Sequence, residues 1–261
     1  MPSTRAVAVD PPTVRLDDVH LAYDDSPLFE QLELTLPAGS WTCLLGRSGC
    51  GKSTLLRLIA GLATGGESRF TLSTDDQSPL RHRIAWMAQQ DLLLPWSRVI
   101  DNVTLGSRLR GQTTDRERAH ELLAAVGLTH AAQRRPEALS GGQRSRIALA
   151  RTLYEGASVV LMDEPFASLD AITRLELHEL AARLLAGRTV IMVTHDPAEA
   201  LRLADRLLVM HGLPATLSLH EAPSGTPPRD IHDAELITHQ RQLLDLLNEQ
   251  TAPTDIAVGQ Q

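Results

Sequence analysis

Apolar and polar positions alternate over VRLDDVHLAY, from Val14, with the period of a strand buried on one face. LFEQLELTLPAGSWTCLLG, from Leu28, reads as two further strands broken at a Pro-Ala-Gly turn. KSTLLRLIAGL then switches to helical spacing and stops at a glycine. Residues 63–80 are rich in Gly, Ser, Thr and Asp and read as loop with room for one strand, and RIAWMAQ is a strand. Helical spacing returns over about 98–110, 115–126 and 141–155. SVVLMDEP and TVIMVTHD are short, wholly apolar runs, the mark of strands covered on both faces. AITRLELHELAARLLAG and PAEALRLA between and after them are helical, and DRLLVMHG is a strand. Past Gly212, the Pro/Ser/Gly-rich EAPSGTPPRD predicts a linker, and DAELITHQRQLLDLLNEQ one helix.

Short apolar strands alternating with helices predict an α/β fold with a parallel sheet and helices on its faces. The helical stretch 90–158 interrupts that alternation and reads as an inserted helical subdomain of a unit spanning 14–212. The tail 213–261, about 50 residues, is too short for another sizeable domain. At 261 residues and 43% hydrophobic content the chain can bury a full core. The net charge of −7 and the lack of a basic patch argue against nucleic acid as a partner. No apolar run approaches the roughly 18–20 residues that span a bilayer. The opening MPSTRAVAVDPP lacks the apolar centre of a signal peptide, so the expected location is cytosolic, docked on a membrane protein. The two cysteines, Cys43 and Cys50, are too few for a disulfide framework or a zinc site, and Cys43 reads as strand packing.

Candidate chemistry begins at GRSGCGKST, where Gly46 and Gly51 flank four residues and Lys52-Ser53 follow. Glycines let the backbone wrap an anion, and the positive end of the following helix adds to the attraction. At this spacing Lys52 reaches the β- and γ-phosphates of a nucleotide, and the Ser53 hydroxyl ligates Mg²⁺. A chance glycine-rich turn is the competing reading, but the strand before and helix after favour nucleotide. Asp163 and Glu164 end a buried strand, in the ligand crevice of a parallel sheet. Asp163 suits a direct or outer Mg²⁺ group, and Glu164 is then free to orient and deprotonate water. A solvated Asp-Glu pair at a strand end is the bland alternative. His195 ends another apolar strand on the same edge. It is either a satisfied structural side chain or a partner of the γ-phosphate or attacking water.

In this order the motifs resemble the ATP-binding cassette (ABC) ATPases over about residues 14–212. They are GRSGCGKST, WMAQQD with Gln89, LSGGQ at Leu139–Gln143, LMDEP, SLD ending at Asp170, and THD. The resemblance implies a phosphate-loop core with a mainly parallel sheet, an N-terminal antiparallel β subdomain and an inserted helical subdomain. It implies that Tyr23 stacks on adenine. Gly46, Arg47, Ser48, Gly49, Cys50, Gly51, Lys52, Ser53 and Thr54 cradle the phosphates. Ser53 and Gln89 contact Mg²⁺ with Asp163 nearby, Glu164 is the catalytic base, His195 senses the γ-phosphate, and Asp170 lies at a dimer interface. The helical insert carries the surface for a membrane-spanning partner. Ser145 stands where relatives often have glutamine, outside the expected nucleotide contact.

Ser140 and Gln143 fit a capping box, but a capping box does not ask for Gly141 and Gly142 between them. Two glycines in a first turn suggest a close approach to the backbone, and a bare helix N-terminus suits an anion. In the family fold this stretch lies far from the phosphate loop of its own subunit. The implied solution is a second, identical cassette packed head to tail, with Leu139, Ser140, Gly141, Gly142 and Gln143 acting on the partner's ATP.

Chains of this kind without fused membrane segments resemble bacterial importer subunits. QQDLLLPWSRVIDNV, with Leu93 to Trp96, resembles the branch serving nitrate, sulfonate, taurine and pyrimidine-type thiamine precursors, and MAQQDLLLPW leans to the last. The partners so implied are permease subunits, a second ATPase subunit and, indirectly, an extracytoplasmic substrate-binding protein, with the chain peripheral on the cytoplasmic side of the membrane. A soluble cassette protein of DNA repair or translation is the alternative. Such proteins carry paired cassettes, coiled-coil insertions or zinc modules, which this chain lacks. A nucleotide kinase or GTPase is excluded by the signature and His195.

Overall fold

The computed structural model describes residues 10–24 and 26–249. The N-terminal segment read for targeting signals lies mostly outside them, as does the last residue of the expected tail helix. The chain opens with strands β1 (Val14–Tyr23) and β2 (Ser26–Leu36), then β3 (Trp41–Gly46) and helix α1 (Lys52–Ile59). β4 (Glu67–Thr74) and β5 (Ile84–Met87) follow. The helices α2 (Val99–Val103), α3 (Leu105–Leu109), α4 (Arg116–Ala125) and α5 (Gly141–Tyr154) come next. Then run β6 (Val159–Asp163), α6 (Ala171–Leu185), β7 (Thr189–Thr194), α7 (Pro197–Leu203) and β8 (Arg206–His211). β9 (Thr216–His220) and α8 (Ala234–Glu249) close the described chain.

Two sheets form. A three-stranded antiparallel sheet has the order β2-β1-β4. A six-stranded sheet has the order β5-β6-β7-β3-β8-β9, parallel except for β9, which runs antiparallel on β8. Both faces of the central strands are covered, so alternate residues enter different cores. Cys43, Val160, Met162, Val190 and Met192 face the core shared with α5, α6, α7 and α8. Leu44, Val159, Leu161, Ile191 and Val193 face the core shared with α1 and the antiparallel sheet. This two-sided burial is why these strands read as unbroken apolar runs.

Two departures from the sequence reading have physical causes. The helical run near 98–110 is two short helices divided at Thr104, whose hydroxyl bonds back to the Ile100 carbonyl, an arrangement that bends helices. The segment after Gly212 holds β9, and EAPSGTPPRD is tied down. Buried Arg229 donates to the carbonyls of Leu201 and Ala204 at the end of α7 and to Ser224 O. Leu236 and Leu243 of α8 are buried in the main core.

Candidate active site

The strand order sets the site. β5, β6, β7 and β3 lie side by side and parallel, so their carboxyl ends emerge on one edge. Gln89 follows β5, Asp163 ends β6 with Glu164 directly after it, His195 follows β7, and Gly46 ends β3. A crevice outside strand carboxyl ends, where connections diverge, is where open α/β sheets bind ligands.

The loop from Gly46 to Gly51 leads into α1. Gly51 has φ +102°, and a Cβ there would sit 2.9 Å from Phe29 Cζ, so both backbone and space require glycine. No side chain caps the start of α1, so its first N–H groups remain available to an anion. Arg47, Ser48, Gly49 and Ser53 are exposed, while Cys50 and Thr54 are partly covered. Burial raises the Cys50 thiol above its usual range. Lys52 is only 5% exposed; its Nζ donates to the carbonyls of Gly46 and Arg47, each at 2.8 Å. An ammonium has three donors, so one remains for a ligand.

Ser53 Oγ donates to Asp163 Oδ1 at 2.8 Å. Desolvation raises the Asp163 carboxyl above its usual range, opposed by that hydrogen bond and reinforced by Glu164. Glu164 adopts φ +47°, a left-handed conformation rare for a non-glycine residue. Its N–H is held by Val193 O of the next strand at 3.0 Å. The turn brings its carboxylate between two neighbours. Gln89 Nε2 donates to Oε2 at 3.3 Å, and His195 Nδ1 lies 3.1 Å from the same oxygen. An ionised carboxylate only accepts, so Nδ1 carries the proton in this pair. Tyr23, at the end of β1, is 38% exposed and donates its hydroxyl to Thr64 O at 3.0 Å.

The side-chain bonds of Ser140 and Gln143 stay within their own turn. The capping box is formed: Gln143 N donates to Ser140 Oγ at 3.3 Å, and Ser140 N to Gln143 Oε1 at 3.0 Å. The Ser140 hydroxyl proton remains free to donate. The two glycines differ. A Cβ on Gly142 would fall 2.5 Å from Thr173 Cγ2 of α6, so this glycine answers to packing inside the chain. A Cβ on Gly141 would meet nothing nearer than 3.9 Å, and its outer side is open. Leu139 is buried, and the Ser145 hydroxyl turns back to Gly141 O at 3.2 Å. Asp170 caps α6 by accepting from Thr173 N, which lowers its carboxyl pKa.

Sequence reasoning missed the arginines that tie α5 to the segment after Gln89. Arg144 Nε pairs with Asp91 at 2.9 Å, and Arg151 donates to the carbonyls of Asp91 and Leu92. Their spacing of seven, which puts both on one helix face, was the available signal. Trp96 is 70% exposed at the tip of a loop that buried Asn102 stitches together. The Asn102 amide accepts from Leu94 N and donates to the carbonyls of Leu94, Ser97 and Arg98.

The ABC transporter family model matches residues 29–167. An ABC transporter ATP-binding protein of Haemophilus influenzae is 45% identical over 240 residues, covering 90% of this chain and 98% of the relative. An aliphatic sulfonates import ATP-binding protein of Rhodococcus jostii is 43% identical over 258 residues, 94% and 95% of the two chains. Its namesake in Escherichia coli K12 is 46% identical over 197 residues, 75% and 76% of the two. Among the described residues, no helix is long and apolar enough to cross a membrane.

Proposed function

The chain belongs to the ABC transporter family, and from that premise we propose that it is the ATP-hydrolysing subunit of a bacterial importer for a small sulfonate-type anion. The observation that carries the reading is the meeting of Lys52, Ser53, Asp163, Glu164, Gln89 and His195 along the ends of four adjacent parallel strands. The anion comes from the names of the relatives, two of which import aliphatic sulfonates. Those names favour import over a task in DNA repair or translation, and the anionic side of the branch over the pyrimidine side.

The donor set suits a hard divalent cation. A serine hydroxyl and a carboxylate lie 2.8 Å apart at the start of α1. Among the described residues no three His, Cys, Asp or Glu side chains form a metal site by themselves, which fits an ion shared with phosphate oxygens and water. Ser53 and Asp163, with Gln89 close by, would hold Mg²⁺, which neutralises charge on the transferring phosphoryl group. Backbone N–H groups of residues 46–54 and the remaining Lys52 proton bind the phosphates. Tyr23 offers its ring to the base. Gln89 and His195 both contact Oε2 of Glu164, leaving Oε1 to take a proton from water.

The signature turn completes the site of a second copy. The free Ser140 proton and the open side of Gly141 face outward, so two chains arranged head to tail each cover the other's γ-phosphate, with Asp170 at the shared face. In this reading exposed Trp96 and its loop meet the permease, with the chain peripheral on the cytoplasmic face of the membrane. A substrate-binding protein acts on the far side.

The test is uptake of radiolabelled alkanesulfonate by cells lacking the gene and complemented with wild type or Lys52→Ala. Wild type restores uptake, and the variant stays below about 1% because an anchor of transition-state charge is gone. Normal uptake by Lys52→Ala contradicts the phosphate-site assignment. Absence of sulfonate uptake with wild type contradicts the substrate class.

A further inference from the structure

A single guanidinium on α6 joins the loop that ends at Asp170 to the turn that carries His195. Arg174 Nη2 donates to Leu169 O at 2.9 Å, one residue before Asp170. Its Nη1 donates to Asp196 Oδ2 at 3.1 Å, one residue after His195. Asp196 is itself fixed. Its N–H donates to Thr194 Oγ1 at 3.0 Å, and its other carboxylate oxygen caps α7 by accepting from Ala198 N and Glu199 N. Both loops therefore hang on one planar fork, whose geometry transmits position more faithfully than a flexible ammonium. A partly exposed ion pair adds little to stability, and Arg174 and Asp196 are each about 30% exposed. The contact therefore has little to do as a staple.

We propose that Arg174 is a positioning residue for hydrolysis: it ties the His195 turn to the Asp170 loop, so that a second chain seated against Asp170 holds His195 in the contact it already makes with Glu164. This rests on the two-chain reading above. Arg174 touches neither the phosphate loop nor Glu164, so its removal is expected in turnover and cooperativity and not in nucleotide binding.

The experiment measures Mg-ATP hydrolysis by the full chain in the membrane complex in which it is isolated. Arg174→Ala lowers kcat about tenfold and brings the Hill coefficient for ATP toward 1. KM for ATP and the Tm of the purified chain stay within twofold and about 2 °C of wild type. Asp196→Asn keeps the oxygen that caps α7 and loses the charge opposite Arg174; its effect on kcat is less than additive with Arg174→Ala. Arg174→Gln, read the same way, serves if the alanine variant does not fold. Turnover and cooperativity within twofold of wild type overturn the inference alone. So does a loss of kcat matched by equal losses in affinity and Tm. No hydrolysis by the wild-type complex overturns the underlying reading and this inference together.

Discussion

Glu164 shows at the scale of one residue how the site is built against local preference. Its left-handed backbone costs about 1–3 kcal/mol, which the surrounding fold must supply. Here Val193 O holds the N–H, and Gln89 and His195 hold the carboxylate. Asp163 beside it carries a second cost. Desolvation makes its carboxyl bind a proton more readily in the fold than in the unfolded chain. Stability from this group is therefore lost as pH rises through the carboxylate range, and its cost is fully present at neutral pH. Asp163→Asn is expected to raise Tm at pH 7.5 in Mg-free buffer, with a gain that shrinks toward pH 5, while Mg-ATP hydrolysis falls at least a hundredfold. Thermal unfolding and an ATPase assay check both halves. The identities of these residues were legible from motif order, but the strain at Glu164 was not, since backbone conformation depends on contacts between distant strands. The signature glycines were half legible: Gly141 keeps an open side, whereas Gly142 is needed by Thr173, thirty-one residues away.

At the scale of elements, the strands that read most clearly are those with two buried faces, because their apolar runs leave no other assignment. β9 was missed because TLSLH, although it alternates, is only five residues long, has no buried face of its own and depends on pairing with β8. Nothing in the pattern of the loop bearing Trp96 showed that a buried amide organises it. Asn102→Leu removes that amide's bonds and strands the Leu94 N–H among others. It is expected to cost about 2 kcal/mol, or about 6 °C in Tm. Permease association, read by co-purification, should drop at least fivefold while ATP affinity stays within twofold. Unchanged association would detach this loop from the docking surface.

At the scale of the molecule, the tail belongs to the same core as the site. Arg229 closes the end of α7, whose other end carries Asp196 and follows His195, and Arg202 of α7 donates in turn to Arg229 O and Glu179. A Pro/Gly-rich composition pointed to a linker, because nothing in the segment itself reveals that a distant helix end needs a cation. Arg229→Met should destabilise the chain by about 3 kcal/mol, leaving the Leu201 and Ala204 carbonyls unpaired. Urea denaturation reads this, and a change within 0.5 kcal/mol would mean the tail is not anchored there.

In the two-chain arrangement proposed above, each hydrolytic site is divided between two chains, with Lys52 and Glu164 from one and Ser140 and Gly141 from the other. Glu164→Gln removes the proposed base and leaves the proposed binding groups in place, so ATP should hold the two copies together. Sedimentation velocity of the full-length Glu164→Gln chain tests this most directly. The expected result is monomer without nucleotide or with Mg-ADP, and a stable dimer of twice 28.5 kDa in saturating Mg-ATP. A chain that binds Mg-ATP and still sediments as a monomer would contradict it.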